Sequence, residues 1–233
     1  MTRPSTYAGK TAYHGDVAVN YDRDRVGEPV WQKEQAWVET WARGVPSGAK
    51  VLDVPAGTGR FIGIFRARGA QVQAVDISED MLAALRGQWA PDGATVVVEQ
   101  GDAEALRHGD GAFDFAICWR LFHLVPADVA ERVLRELARV CRGEIVVEVF
   151  GVEAGGPARL AWSALKRKVR TWLPRRSAGA KPWSHITNFV HNEPALRAMM
   201  ARSGLRVVRV ETLTDYEGRP ARVFVLRREG SQA

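Results

Sequence analysis

Between Lys50 and Phe150, short apolar or β-branched runs alternate with amphipathic stretches, and this rhythm leaves few folds open. Lys50–Val54 reads as a short buried strand, Arg60–Arg68 as a helix stopped by Gly69, and Gln71–Ile77 as a second strand. Ser78 suits an N-cap, with Glu79 and Asp80 in the first turn, for a helix to about Gly87. Thr95–Glu99 and Phe113–Trp119 read as the third and fourth strands. Pro126–Arg142 carries Val129, Val133, Leu134, Leu137 and Val140 on one helical face, with Gly143 as its stop, and Glu144–Phe150 is the fifth strand. Strands separated by helices in this way predict a parallel sheet with right-handed crossovers.

The pattern changes after Phe150. Asn192 suits the cap of a helix, Glu193–Ser203, ended by Gly204. Arg206–Thr214 and Ala221–Arg228 read as strands joined by a turn at Tyr216–Pro220. That turn is too short for a helical crossover, so the pair must be antiparallel. Two helices, around Asp16–Arg25 and Trp31–Arg43, precede the sheet. The expected organisation is a helical cap or lid (1–45), a sheet core (46–150), a substrate-side insertion (151–191), and a helix with two strands that complete the sheet (192–233).

The insertion stands out by charge. Between Ala154 and Asn192 there are eight Lys or Arg and no Asp or Glu; the rest of the chain holds 25 basic against 27 acidic residues. The net charge of +6 therefore belongs to one segment, which would attract anions while the body of the protein would not. No apolar run is long enough to span a membrane. The first residues have no apolar signal core, and Cys118 and Cys141 are isolated, so a cytoplasmic protein is expected.

The segment Val51–Phe61, VLDVPAGTGRF, carries the strongest chemical signal. A strand ends in Asp53, and Gly57 and Gly59 turn the chain sharply into a helix. Taken alone it is either a tight strand–helix turn or a ligand loop at the carboxyl end of a strand. Asp76, 23 positions after Asp53, ends the second strand and can accept both hydrogen bonds of a ribose diol. Asp102, after the third strand, can accept from an adenine amine, with the Ala103 N–H beside it. Trp119 and Arg120 end the fourth strand at the same edge. A nicotinamide dinucleotide fits less well: the third glycine of its G-x-G-x-x-G fingerprint falls on Ile62, with Gly63 one place out.

From Asp16 to Arg228 the chain resembles the class I S-adenosylmethionine-dependent methyltransferases. VLDVPAGTGRF is similar to that family's first motif, VQAVDISEDML to its second, EQGDAEAL to its adenine-binding segment, and FDFAICWRLFHLV to the fourth-strand motif. The resemblance implies an α/β, Rossmann-like, seven-stranded, mostly parallel sheet with an antiparallel C-terminal strand and helices on both faces. It implies Asp53, Ala56, Gly57, Gly59 and Arg60 along the methionine part of S-adenosyl-L-methionine, and Asp76 on the ribose. It further implies Ile77 and Met81 near adenosine, Asp102 and Ala103 on adenine, and Trp119 near the sulfonium, with Arg120 among the cofactor residues. Pro55 stands where the family has glycine, which removes one backbone N–H from the loop.

Methyl transfer from a sulfonium is a direct displacement in which the protein supplies position and electrostatics. A base is optional, and His123, following the fourth strand, reads either as that base or as a packing residue of the rim. His185, His191 and Trp183 belong to the substrate side. Tyr21 reads either as a cover over the cofactor or as an aromatic anchor of its helix. Residues 159–176 form a basic amphipathic stretch that suits a lid, an anionic membrane surface or an anionic substrate. No metal is expected. The leading reading is methylation of a small molecule on oxygen or nitrogen. A lipid-like or nucleic-acid substrate, and a cofactor-binding protein without transfer activity, are the alternatives.

Overall fold

The computed structural model describes residues 10, 13–89, 93, 95–150, 189, 191–216 and 219–230. Its elements run α1 (Asp16–Val19), α2 (Pro29–Ala42), β1 (Lys50–Asp53), α3 (Ile62–Ala67), β2 (Gln71–Asp76), α4 (Glu79–Gln88), β3 (Val96–Gln100) and β4 (Phe113–Cys118). A 3-10 turn (Phe122–Leu124) leads to α5 (Ala127–Val140), β5 (Cys141–Val149), α6 (Glu193–Arg202), β6 (Leu205–Tyr216) and β7 (Arg219–Arg228).

The seven strands form one sheet in the order β3-β2-β1-β4-β5-β7-β6. β1 to β5 pair in parallel, and β7 inserts between β5 and β6 antiparallel to both. β7 alone is reversed. The chain leaves β1 toward β3 on one side and returns to β4 on the other. This switch between β1 and β4 opens a crevice at the carboxyl ends of the strands, where open α/β sheets take ligands.

Alternation along the strands sorts side chains into two cores. On one face Leu52, Ala116, Ile145, Val147 and Phe224 pack with α5 and α6. On the other Val51, Ile117, Val146, Val223 and Val225 pack with α2, α3 and α4. Asn192 caps α6 by accepting from the Ala195 N–H at 2.7 Å, and Ser78 caps α4 by accepting from Met81 at 3.3 Å. Trp37 and Trp41 fix α2 to the sheet: their indole N–H groups donate to Glu211 at 2.9 Å and Glu144 at 3.0 Å.

Two local expectations are corrected. Helix α1 ends at Val19 rather than Arg25, and the chain continues as turns, with the Val26 N–H donating to the Asp22 carbonyl at 2.8 Å. Asn20, Asp22 and Asp24 favour such turns, and the Asp22 side chain accepts from the Thr58 hydroxyl at 2.8 Å. Gly143 does not stop α5; the helix ends at Val140 and β5 begins at once. A Cβ at position 143 would lie 2.1 Å from the Asp114 carbonyl oxygen in β4, so the glycine serves the close approach of two strands.

The basic stretch 159–176, with Trp183 and His185, lies outside the described residues. No described helix is long and apolar enough to cross a membrane.

Candidate active site

A cleft with an empty volume of about 800 Å³ opens at the ends of β1, β2 and β4. Its floor is the loop after β1, which starts with a cis Val54–Pro55 peptide bond. The loop is tied to β2 twice: the Ala56 N–H donates to the Val75 carbonyl at 2.9 Å, and the Gly57 N–H donates to Asp76 Oδ2 at 2.8 Å.

Asp76 is 6% exposed, and its Oδ1 accepts from the Ser78 N–H at 2.9 Å. Burial raises its pKa, and the Ser78 and Gly57 bonds oppose that rise. With backbone N–H groups on both oxygens, the carboxylate still keeps acceptor capacity for a ligand. Asp53 is 1% exposed, and its Oδ2 has no hydrogen-bond partner among the described residues. Burial first, and then repulsion from Asp76, push its pKa up to about 8. An unsatisfied buried carboxylate is costly, and a cationic ligand group would relieve that cost.

The opposite wall is cationic and aromatic. Glu34 of α2 is fully buried between two guanidinium groups, Arg60 at 2.6 Å and Arg120 at 3.0 Å. Arg60 also stacks 3.5 Å over the Trp31 ring and donates to the Trp31 carbonyl. Burial lowers the Arg60 pKa against the pull of Glu34. Burial acts on Arg120 in the same direction, but Glu34, Tyr21 and Glu148 outweigh it and its pKa rises. Tyr21 sits edge-on to Tyr13 with centroids 5.9 Å apart, and Arg25 lies 3.9 Å over its ring.

Ten of the expected cofactor residues meet in this cleft. Tyr21, Asp53, Ala56, Gly57 and Arg60 line one part of it, and Asp76, Ile77, Met81, Trp119 and Arg120 line the rest. Gly59, Asp102, Ala103, His123 and His191 are not among the lining residues. Gly59 has φ 83°, and a Cβ there would lie 2.8 Å from Leu85 Cγ, so this glycine lets α3 pack on α4. Asp102 pairs with Lys10 Nζ at 2.6 Å and accepts from the Glu104 N–H at 3.0 Å. Ala103 packs against the core.

His123 has a buried Nδ1 with no hydrogen bond to a described residue, and its ring lies 5.4 Å from Phe150. Burial, then the fields of Arg120 and Arg25, lower its pKa to about 3. Its imidazole is therefore neutral and weakly basic at ordinary pH. The His191 Nε2–H donates to the Phe122 carbonyl at 2.8 Å, which ties the start of α6 to the turn after β4. Tyr13, Leu121 and Leu124 line the cleft without having been singled out from sequence. Glu34 was missed as well, although an acid amid Trp31, Val38 and Trp41 on one helical face was a visible signal.

Residues 51–144 match the family model of a methyltransferase domain. The chain is 34% identical over 145 residues to a malonyl-[acyl-carrier protein] O-methyltransferase of Pectobacterium atrosepticum, covering 60% of this chain and 55% of that protein. It is 31% identical over 180 residues to a ubiquinone/menaquinone biosynthesis C-methyltransferase of Cupriavidus taiwanensis, covering 73% of each. The first of these matches thus spans little more than half of the relative's length. In fold the chain is similar to a magnesium protoporphyrin IX methyltransferase from Synechocystis, solved with bound SAH. The TM-score is 0.69 at 20% identity, over 93% of this chain and 97% of that one.

Proposed function

This chain belongs to the class I S-adenosylmethionine-dependent methyltransferase family, and we propose that it transfers a methyl group to the oxygen or nitrogen of a small-molecule acceptor. The observation that carries the reading is the pair of buried acids, Asp53 and Asp76, at one end of the cleft. S-adenosylmethionine carries two positive centres and a ribose diol. Those are the groups that an unsatisfied carboxylate and a half-satisfied one would take.

In this reading Asp76 accepts from the ribose hydroxyls, and Asp53 faces the cationic methionine end. Ile77 and Met81 flank adenosine. Asp102 and Ala103 meet adenine, with Lys10 exchanging part of its contact to Asp102. Tyr21 covers the bound cofactor from the N-terminal side. Gly59 acts at one remove, by letting α3 approach α4. When bound, the cofactor supplies an electrophilic methyl group.

The chain's own residues then orient the two reactants and exclude water. Orientation alone is worth on the order of 7–11 kcal/mol. We assign no general base to His123: an imidazole with a pKa of about 3 is a poor proton acceptor near neutrality. The acceptor reaches the site already nucleophilic. We also place the protein in the cytoplasm, since its two buried cysteines are free thiols.

Asp76→Ala tests the assignment. Loss of charge-assisted bonds to the ribose should weaken S-adenosylmethionine binding by about 1.5–3 kcal/mol, roughly tenfold to a hundredfold or more. Unchanged affinity in a variant with an intact circular dichroism spectrum would place the ribose elsewhere.

A further inference from the structure

Arg120 is the least explained residue of the cleft. It has φ 54°, the left-handed region that an arginine seldom enters. Contacts hold it there. Its backbone N–H donates to Glu148 Oε2 at 3.1 Å, and its Nε donates to both oxygens of Glu34 at 3.1 Å. The guanidinium lies 5.2 Å over Trp31 and 5.6 Å over Phe150, and the side chain is only 14% exposed. Glu34 therefore lies along the Nε–Nη2 edge of the fork, hydrogen-bonded through Nε, while Nη2 stands 3.0 Å from Oε2 without a hydrogen bond among the described residues. The Nη1 end makes no hydrogen bond to any described residue, and Arg120 lines the cleft.

Its ion-pair partner is shared. Arg60 and Arg120 share one carboxylate, that of Glu34. The other acid nearby, Glu148, is fully buried, and burial and the field of Glu34 raise its pKa well above the carboxylate range. Its Oε2 accepts the Arg120 backbone N–H, and it makes no ion pair with either guanidinium among the described residues. The two guanidinium groups thus have one carboxylate between them, on a wall whose other members include Trp31, Phe61, Leu121 and Leu124.

We propose that the acceptor carries a carboxylate which seats on the free end of the Arg120 guanidinium as a binding handle, while a different atom of the acceptor receives the methyl group. The inference rests on the methyltransferase reading. A planar anion with two oxygens fits a guanidinium fork. A guanidinium without a carboxylate of its own suits a singly charged carboxylate, and the apolar wall suits an aromatic or aliphatic body. The carboxylate is the handle and not the methyl acceptor. Esterification would remove its charge, so an arginine gripping it would favour the ground state over the transition state.

The test uses the full chain saturated with S-adenosylhomocysteine. 2-Naphthoate and decanoate are titrated beside their uncharged primary amides by calorimetry. At least one acid should bind saturably, at least tenfold more tightly than its amide. Arg120→Gln, titrated at an S-adenosylhomocysteine concentration that saturates the variant by its own measured affinity, should abolish that preference. Acids that bind no better than amides in the wild type would overturn the proposal without needing any variant. So would an Arg120→Gln protein that keeps the preference. Failure of S-adenosylhomocysteine to bind the wild type would instead overturn the methyltransferase reading beneath it.

Discussion

Replacing Asp53 with asparagine should change how the protein's stability responds to pH, by an amount the structure sets. The carboxyl is buried, Oδ2 is unsatisfied, and its pKa stands near 8 against an ordinary value of 3.8. The folded protein therefore holds this proton more tightly than the unfolded chain does. The stability linked to it is fully present below the ordinary carboxylate range and is lost as pH rises toward 8. Inside that window the loss approaches about 1.4 kcal/mol per pH unit. Between about pH 5.5 and 7.5, wild type should lose about 2–3 kcal/mol relative to Asp53→Asn, which carries no titrating group there. For a chain of this size that is roughly 5–10 °C in relative midpoint temperature. Buried acids that do not interact with Asp53, Glu148 among them, cancel in the comparison, whereas Asp76 repels Asp53 and responds to its loss, so the difference reports the coupled pair. Differential scanning calorimetry without ligand, on both proteins at both pH values, is the assay. Parallel pH dependences would refute the placement of Asp53 as an unsatisfied buried acid.

Two further substitutions test the scaffold around the cleft. Glu34→Ala leaves Arg60 and Arg120 without their shared carboxylate and should cost about 3–5 kcal/mol in urea unfolding, whereas an unchanged midpoint would mean that the two arginines find other partners. Gly143→Ala places a Cβ where the Asp114 carbonyl oxygen lies 2.1 Å away, so it should destabilise by about 1–3 kcal/mol or more; a neutral effect would show that β4 and β5 can separate at that point without loss.

The readability of this chain follows the range of the interactions involved. β1 to β5 and their helices were legible because each carries its own periodicity and its own stop or cap, as at Ser78 and Asn192. Asp53, Asp76, Trp119 and Arg120 could be found as residues at strand ends, since a parallel sheet brings those ends to one edge. The role of Glu34 was hidden by distance: its partners lie 26 and 86 positions away, and nothing local to α2 names them. The pairing of Lys10 with Asp102, across 92 positions, was hidden in the same way. Gly143 misled because glycine after an amphipathic helix usually marks its end. Only the neighbouring strand shows the other reason for a missing side chain.

The central claim is that the two buried acids at the ends of β1 and β2 mark an S-adenosylmethionine site. Calorimetric titration of the purified protein, stripped of any copurified ligand, tests it most directly, with NADH as the comparison. The account predicts saturable one-to-one binding of S-adenosylmethionine and none of NADH. Absence of S-adenosylmethionine binding, or binding of NADH in its place, would contradict it.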